Sequence, residues 1–371
     1  MAGSVIQLAS KGAQDIYLMN NDSDSSFFRS VFVRNTNFAQ APKRLEITGQ
    51  TPKNNGSSII KIQNLGDLIN CMWLEGTNLA YADTTTGINN LAGTVFNLYI
   101  GGQQIDSQTF EFLSEAWQPY LAETYSKSLV INNGFGNTCK EFMPMHFFFC
   151  DLNSYLPLLA LQYHEVEVRI EWGPNIENSS NIIPYGNYIY LDTKERQDMI
   201  NKPMELLISQ VQRLTFPVTS GVPTPTFTVD LSAFNHPVKT LFFGIEATTS
   251  FNGPDTCTFD TAELQINGTT LCETMSPLYC SVIQSFYSTD YAILSWNSEL
   301  FQPNKTLLYM YNFCLSASGY KPTGTLNFSR LDNAKMIFKN ITTSKPDFVV
   351  YAVNYNILKI QNGLGGILFG N

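Results

Sequence analysis

"LYIGGQQI" (residues 98–105) and "LQINGTTL" (residues 264–271) are two versions of one pattern, Leu-x-Ile-[Gly/Asn]-Gly-x-x-[Ile/Leu], set 166 residues apart in a chain of 371. Gly-Gly and Asn-Gly both tolerate positive φ at two successive positions, as the type I′ turn of a two-residue β-hairpin requires, and each dipeptide follows alternating Leu and Ile. Gly101, Gly102, Asn267 and Gly268 are therefore the expected turn residues of two equivalent hairpins. A second pair of marks has nearly the same spacing. Pro157 in "SYLPLLALQYHEVEV" and Pro322 in "SGYKPTGTLNFSRLDN" lie 165 residues apart, each after an aromatic-rich run and before a strand. Two marks with one offset imply one fold built twice.

Period-2 alternation dominates the rest of the chain. Val166, Val168, Ile170 and Trp172 alternate with Glu167, Arg169 and Glu171, which puts one face of a strand on a core and the other toward water. The runs 226–231 and 349–357 behave alike, and turn-rich clusters such as "TPKNNGSS", "NNGFGN" and "SFNGPDT" separate them, the rhythm of a sandwich or barrel. One stretch departs from it. Phe110, Leu113, Trp117 and Leu121 recur at helical spacing, with Asp106 or Ser107 expected to cap and Pro119 to break or kink the helix. This helix is read as a connection packed on the side of the sandwich. The most charged stretch, "LDTKERQDMINKPMELL", marks the expected border near Lys202. Residues 1–24, apolar in places but interrupted by Gly12 and "NNDSDSS", are expected to form an arm; 25–202 and 203–371 are the two expected units.

Composition narrows the class. Charged residues are only 14%, against about 25% in an average soluble protein, while hydrophobic residues reach 44% and aromatics 13%. Interface cores are depleted in charge and rich in aromatics, so this balance points to heavy oligomerisation. The net charge is −9 and the 22 Lys and Arg are scattered, which leaves no electrostatic footprint for direct nucleic-acid binding. No run of about 18 apolar residues could span a bilayer as a helix, and the N-terminal stretch lacks a basic segment and an apolar core, so synthesis in the cytosol is expected. Seven cysteines at irregular spacings, without a C-x-x-C pair, read as reduced thiols.

The residues for chemistry are few. His164-Glu165 does not begin H-E-x-x-H, because position 168 is Val168 in a strand-like run, and His164 reads as a structural strand residue. His236, before Pro237, reads as a turn or strand start. No G-x-S-x-G elbow or phosphate-binding G-x-x-x-x-G-K-[ST] loop occurs, and "NGLGG" (362–366) is too near the end of the chain to open a dinucleotide-binding helix and reads as a turn. No catalytic residue, metal or cofactor is expected. Seven N-x-[S/T] sequons, at Asn21, Asn55, Asn178, Asn267, Asn304, Asn327 and Asn340, read as a by-product of abundant Asn, Ser and Thr.

Taken together, "IQLASKGAQDIYL", "FFRSVFVRNTNFA", "LYIGGQQID", "LPLLALQYHEV", "YLDTKERQDM", "FNHPVKTLFF" and "PTGTLNFSRLDN" resemble the double-jelly-roll major capsid protein of nucleocytoplasmic large DNA viruses, of the chlorovirus and iridovirus kind. The resemblance covers essentially the whole chain. Its signature positions are Pro157, His164, Glu165, Pro322, Arg330, Asp332 and Asn333. It implies an all-β chain of two consecutive eight-stranded antiparallel jelly rolls with short connecting helices. It also implies a homotrimer of hexagonal outline that packs against neighbouring capsomers in an icosahedral virion shell, over minor capsid proteins and an inner viral membrane. A minor or paralogous capsid component shares that fold, and jelly rolls also occur in carbohydrate-binding and glycan-cleaving proteins.

Overall fold

The computed structural model describes residues 35–80, 89–124, 126–127, 141–151, 154–246, 255–290 and 307–370, with six positions before residue 15. The chain divides into two compact units, Met1–Asn37 and Phe38–Asn371. All but those six positions of the arm expected at 1–24, and the sequons at Asn21 and Asn304, lie outside the described residues.

Alternating runs become strands throughout the second unit. They are β1 (Phe38–Arg44), β2 (Ser57–Ile62), β3 (Leu68–Thr77), β4 (Val95–Ile100), β5 (Gln103–Thr109), β6 (Phe142–Pro144), β7 (Val166–Glu171) and β8 (Ser180–Leu191). There follow β9 (Met204–Pro217), β10 (Thr224–Asp230), β11 (Pro237–Gly244), β12 (Thr261–Ile266), β13 (Thr269–Met275), β14 (Leu308–Asn312), β15 (Ala334–Thr343) and β16 (Asp347–Gln361). The first eight form two sheets, ordered β1-β8-β3-β6 and β2-β7-β4-β5; the second eight form β9-β16-β11-β14 and β10-β15-β12-β13. Every one of these pairings is antiparallel. Adding eight to each label of the first roll reproduces the second. The chain is a double jelly roll.

A finer repeat corrects one expectation. The short strand Leu156–Pro157 pairs with β3 and leads into the 3-10 turn Leu158–Ala160; Leu326–Asn327 pairs with β11 and leads into Phe328–Arg330. The counterpart of Pro157 is therefore Asn327, not Pro322, which lies in the preceding loop. An inserted loop before the second copy shifts the offset, and spacing alone could not reveal it.

Strict alternation also explains the most apolar strands. In β16, Phe348, Val350 and Ala352 enter the core of the second roll, while Val349, Tyr351 and Val353 enter the core that begins in the first roll. In β11, Leu241 and Phe243 face the former and Phe242 the latter. Both faces of these strands are buried, so they read as continuous apolar runs, as strands covered on both sides do. One apolar cluster thus crosses from roll to roll.

The helix between β5 and the next strand carries much of that crossing. It runs as α over Phe110–Phe112 and as π over Leu113–Leu121, with Thr109, not Asp106 or Ser107, capping its start by accepting from the Phe112 N–H. Asp106 and Ser107 belong to β5. Pro119 sits inside the π segment and does not end it; a π-bulge leaves room where an α-turn would need the missing N–H. Nor does this helix merely line the side of its own sandwich, since it packs between the two rolls. The charged border forms the Thr193–Asn201 helix, capped by Asp192 and tied to the first roll by Arg196 Nε and Asp67 Oδ1 at 2.9 Å.

Candidate functional site

The two hairpin turns have the backbone their dipeptides suit. Gly101 and Gly102 join β4 to β5 with φ of 58° and 81°, and Asn267 and Gly268 join β12 to β13 with φ of 48° and 78°. Each turn is clamped by the loop before the strand beside it. In the first roll the Gly101 N–H donates to Glu165 O at 2.9 Å, and the His164 ring fills the place of a side chain: a Cβ on Gly101 would collide with its Nδ1. In the second roll the Asn267 N–H donates to Asn333 O at 2.7 Å, and its own Oδ1 accepts from the Asp332 and Asn333 N–H groups at 3.1 Å. One copy uses a histidine and a glycine where the other uses an asparagine.

The structure thus brings Gly101 to His164 and Glu165, and Asn267 to Asp332 and Asn333. His164 is not a strand residue, since it lies in the bend before β7. Its Nδ1 also lies 2.8 Å from the carbonyl oxygen and 3.1 Å from the nitrogen of Gly365, beyond the Asn362–Gly363 turn that closes β16 onto Leu364–Ile367. The first clamp therefore reaches the end of the second roll. Pro157, Pro322 and Arg330 join neither clamp; Arg330 lines a cleft of about 660 Å³ with His236 and Tyr355. Glycine replacements separate the two causes. Nothing lies within 4 Å of a Cβ at Gly102, so Gly102→Ala should cost about 1 kcal/mol of backbone strain. Gly101→Ala, which also displaces His164, should cost at least about 2 kcal/mol in a denaturant titration. Equal losses would mean that His164 yields freely.

Polar groups buried between the rolls were not legible as a site. Asp106 accepts from the Val211 N–H of β9 at 2.8 Å and from Gln108 Nε2 at 2.6 Å. Glu111 accepts from the Gly93 N–H at 2.5 Å. Beside it Arg213 makes a two-point pair with Glu246, at 2.8 and 2.9 Å, and the Tyr351 hydroxyl joins the Glu246 carboxylate and Thr109 Oγ1. Together with Lys345 and Asp347, several of these groups line a cleft of about 410 Å³. Burial raises the carboxyls of Asp106 and Glu111 to about 7, the charge of Glu246 adding to the effect at Glu111; burial, with Glu111 as neighbour, raises Glu115 to about 8. The signal available in the sequence was two acids four residues apart inside the apolar run "FEFLSEAW".

Little here resembles reaction chemistry. Among the described residues no three of His, Cys, Asp and Glu are grouped to hold a metal ion. His146 is buried in a stack on Trp117, with its pKa depressed by burial, and His236 lies in the bend just before β11. The six described cysteines are free. What the duplicated sheets and the packed joint between them define is an architecture, the double jelly roll.

The comparisons with known proteins are specific. The family model described as large eukaryotic DNA virus major capsid protein matches residues 195–366, and that of the major capsid protein N-terminus matches residues 26–192. The major capsid protein of Pyramimonas orientalis virus is 30% identical, and that of Paramecium bursaria Chlorella virus 1 is 28% identical, each over 100% of both chains. A chain of the PBCV-1 virus capsid superposes with a TM-score of 0.74 at 22% identity, covering 93% of this chain and 100% of that one. The Faustovirus major capsid protein does so with a TM-score of 0.68 at 12% identity, over 95% and 94%. The chain belongs to the large eukaryotic DNA virus major capsid protein family, and it is a structural protein of the virion capsid.

Proposed function

We propose that three copies of this chain form a capsomer of pseudo-hexagonal outline, and that such capsomers tile an icosahedral shell. The observation that carries this reading is one strand order repeated in two rolls that pack on each other within a chain. Three such chains place six similar rolls around an axis, so a trimer can fill a hexagonal lattice. The low charge fraction supports extensive burial between copies. Residues 25–202 and 203–371 are the two building blocks, and residues 1–24 are an arm toward minor capsid proteins and the inner viral membrane. The role is architectural: the chain catalyses nothing and, at a net charge of −9, does not bind nucleic acid directly. Free thiols suit synthesis in a reducing host cytoplasm.

Light scattering or native mass spectrometry of the purified chain should give a mass near three times 41.6 kDa. A stable monomer throughout the micromolar range would overturn the capsomer reading.

A further inference from the structure

The joint between the rolls is made once inside the chain, and its parts occur twice. On the giving side, Phe112 packs on Phe242 and Tyr351 with ring centroids 6.2 and 5.1 Å apart. Tyr120 packs on Phe242 at 5.7 Å, and its hydroxyl donates to Leu308 O at 3.1 Å. Ile105, in β5 beside β9, is buried in the same cluster. The hairpin offset of 166 residues carries Ile105, Phe112 and Tyr120 to Leu271, Leu278 and Phe286. All three are apolar, and all three are open, with 54%, 48% and 65% of their surface exposed. The helix that bears Phe286 opens its π segment, Tyr279–Ile283, where the offset places the π start at Leu113, but it turns to α over Gln284–Ser288 where the first helix stays π to Leu121.

The receiving side is repeated too. Leu68 pairs with Pro157 as Pro237 pairs with Asn327, and this match puts Trp73 of β3 in the place of Phe242 of β11. Across the sheet, Trp73 pairs with Tyr185 as Phe242 pairs with Tyr351. Trp73 and Tyr185 stack with centroids 5.7 Å apart and planes 15° from parallel, half-exposed where Phe242 and Tyr351 are covered. A chain therefore holds one joint already made, one spare giver that is exposed and one spare receiver that is only partly covered, both apolar or aromatic.

We propose that Leu278 and Phe286 of one copy dock on Trp73 and Tyr185 of a second copy of this chain, with Leu271 beside them. This rests on the trimer reading and names its contact. Around three copies every giver then meets a receiver, and the joint between subunits repeats the joint between rolls. Aromatic residues in a desolvated pocket are the usual energetic centre of such an interface.

The test is p-benzoylphenylalanine placed at Phe286 of the full chain and irradiated in the purified trimer. The expected product is a covalent link between copies, mapped to the strand that holds Trp73 or the strand that holds Tyr185, residues 68–77 or 180–191. Independently, Phe286→Asp should raise the concentration at which the trimer dissociates by at least about a hundredfold while leaving the circular dichroism of the chain unchanged, because the side chain is exposed. A link mapped elsewhere, no link, or a Phe286→Asp trimer as stable as the wild type overturns this docking and leaves the trimer standing. A wild-type chain that stays monomeric overturns both.

Discussion

Phe242→Ala is expected to lower the free energy of unfolding by about 3–5 kcal/mol, the usual cost of emptying a fully buried aromatic site. Phe242 has no exposed surface. It leaves β11 on the face opposite Leu241 and Phe243, so its removal spares the core of its own roll and opens a cavity beneath Phe112 and Tyr120. Neighbouring rings cannot close that space cheaply, because the helix that holds them is fixed by the Thr109 cap and by the bond from Tyr120 to Leu308 O. The expected phenotype is a chain whose two rolls separate at lower denaturant. A loss below about 1 kcal/mol in a denaturant titration would mean that the rolls are held chiefly by other contacts.

The second large effect is on pH. Stability should fall as pH rises from about 4 to about 8, because Asp106, Glu111 and Glu115 keep their protons to about 7, 7 and 8 in the folded chain. Once unfolded, the same groups ionise near their ordinary values of 3.8 and 4.5. Between those limits the unfolded state loses protons that the folded state retains, and each group costs about 1 kcal/mol per pH unit. Below the window both states are protonated and nothing is lost; above it both are ionised and the cost is constant. Glu115→Gln keeps the shape and removes one ionisation beside Glu111, Glu246, Asp255 and Lys345. It should therefore raise stability at pH 8 by on the order of 2–4 kcal/mol, do little at pH 4, and flatten the slope between. A variant no more stable than the wild type at pH 8 would show that water or Lys345 already neutralises this carboxylate.

The doubling of the fold was legible because a type I′ turn demands particular residues. Gly101, Gly102, Asn267 and Gly268 announce themselves, and the strands on either side alternate. The Pro157–Pro322 match failed for the opposite reason. Proline marks many loops and no single geometry, so an insertion between Cys314 and Leu326 went unseen. The role of His164 depended on partners at Gly101 and Gly365, distant in sequence and joined only by the closing of the two rolls. The place of the 110–121 helix could not be read from its apolar spacing, which says that a face is buried but not against which roll. Buried acids are the hardest case, since Glu111 and Glu115 look like ordinary solvated residues until Phe242 and Tyr351 are placed above their helix.

The proposed capsomer is a six-part ring built from three copies of a chain of two like rolls. Electron-microscope class averages of the purified protein, viewed along the axis of the particle, test it most directly. Six lobes related by threefold symmetry are expected, alternating between the first roll and the second. Particles of two lobes, or rings with any number of lobes other than six, would contradict it.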